Sequence, residues 1–195
     1  MSRQLDRRGV VRALLDRRGD LLVVAGLGSS AWDCTAAGDH PLTFPLWGAM
    51  GSACTIGLGL ALAQPKRRVL VVTGDGEMLM GLGSLATVAV QRPGNLAIVV
   101  LDNERYGETG MQKTHTAYGT DLAGVAAACG FATAEVVRSE ARLAAVRADI
   151  HRRKGPLFYQ VKVASDPVPL VLPPRDGALL KQRFRQALLG KRAAE

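Results

Sequence analysis

Two apolar runs in the middle of the chain each end abruptly in small polar residues. The run over 69–72 leads into a Gly-Asp-Gly triplet centred on Asp75, and the run over 96–101 leads into Asp-Asn, which ends at Asn103. Continuous apolar runs of this kind are typical of parallel strands covered by helices on both faces. The carboxyl ends of such strands meet at one sheet edge, where ligands bind. The pattern therefore predicts that Asp75 and Asn103 lie side by side at that edge.

The remaining pattern alternates between helical and strand-like segments. Predicted helices cover Arg3 to Arg17, Met50 to Ala63, Met78 to Gln91, Leu122 to Cys129, Glu140 to Arg153 and Ala178 to Leu189. Predicted strands cover Leu21 to Ala25, Val69 to Thr73, Leu96 to Leu101, Ala132 to Val136 and Leu157 to Val163. We interpret 26–30 as a turn that opens a short helix, 41–47 and 104–118 as loops, and 167–174 as an extended connector. The order predicts an α/β fold with three α/β/α layers and a mainly parallel central sheet.

Length and composition agree with one domain. With 195 residues, of which 48% are apolar, the chain can bury a full core, so we expect a single domain over 1–195 that ends in a connector and helix over 165–195. The net charge is +8, but few aromatic residues accompany the basic ones and no nucleic-acid motif is present. We interpret the charge as solvated helix faces that also attract anionic partners, and we expect no nucleic-acid partner.

Targeting signals and cysteines point to an intracellular protein. No uncharged apolar run is long enough to span a membrane, and the N-terminus lacks the apolar core of a signal peptide. We therefore expect a soluble, cytoplasmic protein without a membrane partner. Cys34, Cys54 and Cys129 are widely spaced and form no C-x-x-C pair. They are interpreted as buried thiols in a reducing compartment rather than as metal ligands.

The residues after the two apolar runs suit a magnesium ion and a diphosphate. Mg²⁺ prefers oxygen ligands and usually takes one or two protein side chains together with phosphate oxygens. Gly74 and Gly76 allow the backbone to approach a phosphate, and the segment from Glu77 can begin a helix whose N–H groups face an anion. The alternative is that Gly-Asp-Gly is only a strand-to-helix turn. The paired strand ends favour the magnesium and diphosphate interpretation.

These motifs resemble those of thiamine diphosphate enzymes. Gly-Asp-Gly over 74–76, followed after 26 residues by Asn103, resembles the signature of that cofactor. The segments 48–51, 81–87 and 106–110 extend the resemblance to the phosphonopyruvate and sulfopyruvate decarboxylases.

That resemblance covers the chain from about Asp20 to about Val163. Many thiamine enzymes have Asn where this chain has Asp102, and the two named decarboxylases share the Asp. The motifs are specific for the cofactor and less specific for the substrate.

The resemblance implies roles for residues on the diphosphate side. Asp75 and Asn103 would bind Mg²⁺ through their side chains, and the carbonyl of Arg105 would be a backbone ligand. Relatives often have a smaller residue at Arg105, so its side chain must point away from the metal or toward the substrate.

The diphosphate itself would be bound by the segment from Gly74 to Glu77 and by Ser29. Gly76 and Glu77 would approach it through backbone N–H groups, and Ser29 would contact it through its hydroxyl. The alternative for Ser29 is a plain helix N-cap, and both roles can coexist.

Other residues would face the pyrimidine ring and the substrate. The carbonyl of Gly48 would accept a hydrogen bond from the aminopyrimidine, and Met50 would hold the cofactor in a bent form. The alternative for Met50 is an ordinary core methionine at a helix start. Tyr106 is expected to contact the cofactor. The substrate loop would offer Tyr106, Glu108, Thr109, Gln112, Lys113 and His115. Glu108, Thr109 and His115 are the catalytic candidates, although a loop histidine is often merely exposed.

The resemblance finally implies a reaction and a partner. Thiamine diphosphate would supply the electron sink for decarboxylation of a small 2-oxo acid with an anionic 3-substituent, such as sulfopyruvate or phosphonopyruvate. In this family the activating glutamate comes from a pyrimidine-binding domain, so we expect this chain to be the diphosphate-binding subunit of a hetero-oligomer. Alternatives are a carboligase or aldehyde-forming subunit, or a non-catalytic cofactor-binding subunit. Iron–sulfur oxidoreductases are disfavoured because their cysteine pattern is absent.

Overall fold

Six parallel strands form the central sheet in the computed structural model, which describes residues 4–194. The strands are β1 Leu22–Ala25, β2 Thr43–Pro45, β3 Val69–Gly74, β4 Leu96–Asp102, β7 Thr133–Val137 and β8 Leu157–Lys162. A separate antiparallel hairpin consists of β5 Arg105–Tyr106 and β6 Gln112–Lys113. The order across the sheet is β2-β1-β3-β4-β8-β7.

Eight α-helices surround the sheet in the described part of the chain. They are α1 Arg7–Leu15, α2 Ser29–Ala36, α3 Ala53–Ala63, α4 Asp75–Met80, α5 Ser84–Gln91, α6 Leu122–Cys129, α7 Glu140–Arg152 and α8 Gly177–Leu189. Two short 3₁₀ segments cover 115–118 and 190–194.

The strands are buried on both faces, as their apolar runs predict. Along β3, Leu70 and Val72 belong to the core layer that also contains residues of α1, α2 and α7, whereas Val69 and Val71 belong to the layer with residues of α3, α5, α6 and α8. Successive side chains of a strand point to opposite faces, so one continuous apolar run serves two core layers. The predicted three-layer α/β/α fold with a parallel sheet is confirmed.

The order in which strands are added to the sheet reverses between β1 and β3, which is the topological switch point of the sheet. From β1 the chain adds β2 on one side and then crosses to add β3 on the other, with Ala25 paired to Val72. Loops that leave the carboxyl ends of β1 and β3 diverge here, which opens a crevice. Beside it, Gly74 pairs with Leu101, so Asp75, directly after β3, lies next to Asp102, the last residue of β4.

Two sequence-based boundaries are wrong for local reasons. The segment 41–47 was predicted to be a loop but contains β2, a three-residue edge strand paired to β1. So short a strand has no readable periodicity, and Pro45 is tolerated because it lies at the sheet edge. The first helix begins at Arg7 rather than Arg3, because Asp6 caps it by accepting a hydrogen bond from the Gly9 N–H at 2.6 Å. Arg3 lies outside the described residues.

The predicted helix Met78 to Gln91 is wrong as a single element. Helix α4 begins directly after β3, and a break over 81–83 separates it from α5. At the break the Gly81 backbone packs against Gly51, since a Cβ atom at Gly81 would lie 2.0 Å from the Gly51 carbonyl oxygen. The backbone contact, which periodicity cannot reveal, explains the interruption.

Other expectations agree with the structure. The connector 167–174 contains no helix or strand, and α8 follows it. Cys34, Cys54 and Cys129 are free thiols, of which the first two are buried and the third is half-buried. Within residues 4–194, no helix has the length and apolar character needed to cross a membrane.

Helix α3 offers a matched test of the packing against β3. A Cβ atom at Gly57 would lie 2.2 Å from Val71 Cγ2, whereas one at Gly59 would meet no atom within 4 Å. We expect Gly59→Ala to raise the free energy of unfolding by about 0.5–1 kcal/mol through helix propensity. Gly57→Ala should instead lower it by about 1–3 kcal/mol through overpacking. Urea unfolding measures both, and stabilisation by both variants would contradict the close α3–β3 contact.

Candidate functional site

A cavity of about 330 Å³ lies at the crevice between the carboxyl ends of β1 and β3. We call it the switch-point cavity. The segments after β1, β3 and β4 line it, together with Met50 and the hairpin segment 105–109. Of the residues predicted for the site, Gly48, Gln112, Lys113 and His115 do not line this cavity, and all the others do. Its volume falls within the range of small-molecule sites.

Asp75 is the buried acid of the cavity. Its Oδ2 atom accepts a hydrogen bond from the Thr114 hydroxyl at 2.5 Å and lies 3.1 Å from the Thr116 hydroxyl, whose single hydrogen it shares with Asp102. Burial raises the pKa of Asp75 to about 6; the Thr114 hydrogen bond opposes that rise, and the nearby Asp102 charge adds to it. Among residues 4–194, no Lys or Arg forms an ion pair with Asp75 within 4.0 Å. An unpaired buried carboxylate of this kind is stabilised by a bound cation.

Asp102, by contrast, is fully paired inside the protein. It is completely buried and accepts hydrogen bonds from Gln160 Nε2 at 2.5 Å and the Thr116 hydroxyl at 2.8 Å. Lys162 Nζ lies 2.7 Å from its carboxylate. Burial lowers the pKa of Lys162, but its hydrogen bonds to Asp102 and Glu104 outweigh that effect, so the pKa is raised. Asp102 therefore fixes the loop to β4 and β8 rather than facing the cavity.

Asn103 and Arg105 turn the chain at the cavity wall. The Asn103 Oδ1 atom accepts a hydrogen bond from the Arg105 N–H at 3.1 Å, and Glu104 between them has a φ of +62°. Arg105 Nη1 donates to the Glu104 carbonyl at 2.9 Å. Within the described residues, no group of three or more His, Cys, Asp or Glu side chains could hold a metal. A metal here would therefore use one carboxylate, one amide and main-chain oxygen.

Two glycines permit close packing beside the cavity. A Cβ atom at Gly76 would lie 2.6 Å from the Tyr106 ring, and one at Gly26 would lie 1.8 Å from Glu77 Oε2. The same Glu77 oxygen accepts a hydrogen bond from the Thr73 hydroxyl at 2.6 Å. Burial raises the pKa of Glu77, and hydrogen bonding from Thr73 opposes the rise. Glu77 thereby joins the ends of β1 and β3 across the crevice.

Met50 forms an open apolar wall of the cavity with Met80. Their side chains are 40% and 57% exposed, respectively, and both line the cavity. Met50 lies between Ala49 and Gly51, whose φ angles of +59° and +87° are both left-handed. Met50 is therefore no core methionine. Gly48 is exposed and does not line the cavity, so its role remains a prediction.

The loop and turn candidates separate into two groups. Tyr106, Glu108 and Thr109 line the cavity, whereas His115 is exposed outside its lining and its catalytic role remains a prediction. Burial raises the pKa of Glu108, and the charge of Arg7 opposes the rise. Ser29 lines the cavity as the first residue of α2, with Gly28 at the N-cap position, so the plain N-cap interpretation of Ser29 is wrong.

Several residues of the site were missed from the sequence. Thr114 and Thr116 fall within the predicted loop 104–118 without a predicted role. Arg7 belongs to the basic residues whose charge the sequence suggests is solvated, yet it lines the cavity. Lys162 meets Asp102 only because β4 pairs with β8 in a register that joins these two residues. The chain carries no local signal for that pairing.

The chain matches one known protein family over most of its length. The family described as thiamine pyrophosphate enzyme, C-terminal TPP binding domain, matches residues 28–161. The chain belongs to this family. The matched region contains the strand ends and loops that line the switch-point cavity, apart from Arg7 and Leu27.

Individual relatives in this thiamine pyrophosphate family are decarboxylases. Phosphonopyruvate decarboxylase of Streptomyces viridochromogenes is 41% identical over 152 residues, which cover 78% of this chain and 38% of that protein. Sulfopyruvate decarboxylase subunit beta of Methanothermobacter thermautotrophicus is 50% identical over 112 residues, covering 57% of this chain and 60% of that protein. The chain thus spans less than two thirds of each.

A solved structure agrees on the fold. Benzoylformate decarboxylase from Polynucleobacter necessarius superposes with a TM-score of 0.68 over 84% of this chain and 34% of that one, at 19% identity. At that identity the likeness concerns the fold alone.

The cavity fits the diphosphate end of the family's cofactor. A Cβ atom at Gly74 would meet no atom within 4 Å, so the main chain there is open to the cavity. Asp75 and Asn103 present a carboxylate and an amide oxygen to the same space, which is the donor chemistry that Mg²⁺ prefers. The unpaired charge of Asp75 supports that fit.

The contact between Gly81 and Gly51 should hold the Met50 wall in place. We expect Gly81→Ala to lower the free energy of unfolding by about 1–3 kcal/mol, because two backbones must separate. The NMR signal of the Met50 methyl group should also shift. Gly83→Ala is the matched control, since its Cβ atom would meet nothing within 4 Å and should change stability by less than about 0.5 kcal/mol. Equal effects of the two variants would contradict the role of the contact.

Proposed function

We propose that the chain is the diphosphate-binding subunit of a two-subunit thiamine diphosphate-dependent decarboxylase. Its substrate would be a small anionic 2-oxo acid, such as 3-sulfopyruvate or phosphonopyruvate. The observation that carries the proposal is that Asp75, Asn103 and Met50 line one cavity at the switch point of the sheet. Together they provide oxygen ligands for the diphosphate side and an apolar surface for the rings.

On the diphosphate side, Asp75 and Asn103 would bind Mg²⁺ through their side chains, with the Arg105 carbonyl as a third protein ligand. Thr114 and Thr116 hold one oxygen of Asp75 by hydrogen bonds. They leave the other oxygen to the metal. Asn103 is held by its hydrogen bond from the Arg105 N–H, which orients the amide. Partners that orient a ligand in this way strengthen metal binding.

The main chain and Ser29 would bind the phosphates themselves. Gly76 and Glu77 line the cavity in the first turn of α4, where N–H groups have no partner within the helix and would donate to the phosphate. Ser29 lines the same cavity from the first turn of α2, and its hydroxyl would contact a phosphate. These neutral donors stabilise negative charge without competing with the metal.

On the ring side, Gly48 would accept a hydrogen bond from the aminopyrimidine and Met50 would support the bent cofactor. When bound, thiamine diphosphate would supply the electron sink that loss of CO₂ from a 2-oxo acid requires. The chain would contribute Tyr106, Glu108 and Thr109 at the open side of the cavity, and His115 from the adjacent loop. These residues would orient the substrate and donate or accept protons during the reaction.

A partner subunit would cover the open side of the cavity. Met50 and Met80 are large apolar side chains that remain 40% and 57% exposed at the cavity wall. Exposed apolar surface beside a site is typical of a protein interface. The similarity to a protein named as a beta subunit supports a separate partner. That pyrimidine-binding subunit would supply the activating glutamate.

The anionic substrate class rests on charge and on the relatives. The guanidinium-bearing Arg105 lines the cavity, and the chain carries a net charge of +8. Positive potential attracts anionic ligands and increases their association rates. The relatives named above are called phosphonopyruvate and sulfopyruvate decarboxylases, and these names support a substrate that carries a second anionic group.

Cofactor binding tests the proposed metal site. Isothermal titration calorimetry should show that the chain binds thiamine diphosphate with Mg²⁺ and binds it much more weakly with EDTA. Asp75→Ala removes a metal ligand and should weaken Mg²⁺-dependent binding by at least roughly 100-fold. Asp166→Ala, at an exposed connector position, is the control and should bind as wild type. Unchanged binding by the Asp75 variant would rule out this metal site.

Turnover tests the proposed subunit arrangement. The isolated chain should not decarboxylate sulfopyruvate or phosphonopyruvate measurably, because the activating glutamate lies on the partner. Addition of the pyrimidine-binding subunit should restore CO₂ release, measured by a coupled assay with thiamine diphosphate and Mg²⁺. A partner subunit with that glutamate changed to Gln is the control and should restore no activity. Robust turnover by the isolated chain would contradict the arrangement.

A further inference from the structure

Arg7 reaches the switch-point cavity from outside the region that the family match covers. The match begins at residue 28, whereas Arg7 is the first residue of α1. Leu5 pairs with Val163, directly after β8, which places the start of α1 at the carboxyl edge of the sheet. The Arg7 side chain is only 10% exposed, and it lines the cavity together with Ser29.

A buried carboxylate holds Arg7 in position. Asp33 of α2 is completely buried, and one of its oxygens accepts a hydrogen bond from Arg7 Nε. Its other oxygen accepts one from Arg8 Nε at 3.2 Å. Asp33 thus fixes two neighbouring guanidinium groups at once. Because one carboxylate pairs with two guanidinium groups, the side chains of Arg7, Arg8 and Asp33 together carry a net charge of +1.

The two arginines use their remaining donors differently. Arg8 Nη2 donates to the Pro169 carbonyl at 2.7 Å, and Arg8 does not line the cavity. The two Nη atoms of Arg7 donate no hydrogen bond to any group in residues 4–194. Glu108 is close enough to feel the charge of Arg7 but forms no ion pair with it within 4.0 Å in the described chain. Arg7 therefore brings a positively charged group to the cavity wall, near Glu108.

We propose that Arg7 binds the terminal phosphate of the diphosphate group and that Asp33 is its positioning residue. The inference rests on the proposed function, because it assumes the cofactor in this cavity. The position beside Ser29 favours the phosphates over the substrate, since Ser29 is the proposed hydroxyl contact of the same group. A guanidinium fork matches the oxygens of a phosphate, and a fixed Nε leaves the two Nη groups to donate.

Calorimetry with two related ligands tests the inference. In the presence of Mg²⁺, Arg7→Gln should weaken thiamine diphosphate binding roughly 10- to 100-fold, as expected for loss of a charged hydrogen bond. Binding of thiamine monophosphate, which lacks the terminal phosphate, should change less than about 2-fold. Arg12→Gln removes an exposed arginine of the same helix that does not line the cavity and is the matched control; it should leave both affinities unchanged. Arg7→Lys should recover part of the loss.

Asp33→Asn tests the positioning role with the same readout. It should reproduce the selective loss of diphosphate over monophosphate binding, because Arg7 loses its fixed partner. A merely structural role would weaken both ligands alike or lower only the stability in urea unfolding. Such a result would overturn the role of Asp33.

The outcomes separate this inference from the proposed function. If the wild-type chain fails to bind thiamine diphosphate with Mg²⁺, both are wrong. If the wild type binds and Arg7→Gln binds equally well, only the role of Arg7 is overturned. An unchanged cofactor affinity with a raised KM for sulfopyruvate in the assembled enzyme would assign Arg7 to the substrate instead.

Discussion

Two carboxylates buried at neighbouring strand ends form the constraint on which the site depends. Asp75 and Asp102 share the hydroxyl of Thr116, which lies within 3.1 Å of both. Asp102 is balanced by Lys162, but Asp75 receives only neutral donors, two hydroxyls and a backbone N–H, among residues 4–194. Burying an unbalanced charge costs several kcal/mol, by order of magnitude. A cation bound beside Asp75 would therefore stabilise the folded protein. The hydroxyls of Thr114 and Thr116 also fix the loop that carries them against this acid.

Close backbone contacts give this place its shape. Gly26 leaves room for Glu77, which joins the ends of β1 and β3, and Gly81 allows Gly51 to approach the break between α4 and α5. The second contact sets the position of Met50 at the cavity wall. Because packed interiors deform little, a methyl added at Gly81 would have to separate two backbones, and one added at Gly26 would have to displace the Glu77 carboxylate. The shape of the binding site thus depends on glycines that have no functional side chain.

The sequence predicted the parts of the site that local pattern encodes. Apolar runs ending at Asp75 and Asn103 are visible in the chain, and parallel pairing of β3 and β4 brings them together as expected. The parts that failed depend on contacts between distant segments. The helix break at Gly81 comes from Gly51, thirty positions earlier, and the donors around Asp102 come from the register of β4 with β8. Neither partner is marked by periodicity or turn chemistry.

Charge is distributed around the cavity in a way that suits a metal diphosphate. Asp75 approaches from α4, on the face packed with α3 and α5, and presents negative charge. Arg7 approaches from α1, on the opposite face, and presents the positive charge that Asp33 leaves unbalanced. A metal-bound diphosphate can pair its cation with Asp75 and its anionic oxygens with Arg7. A free cation is attracted by Asp75 but repelled by Arg7, and a free anion is attracted by Arg7 but repelled by Asp75. Metal and phosphate should therefore bind this chain cooperatively, each strengthening the other, as linkage between two ligands requires.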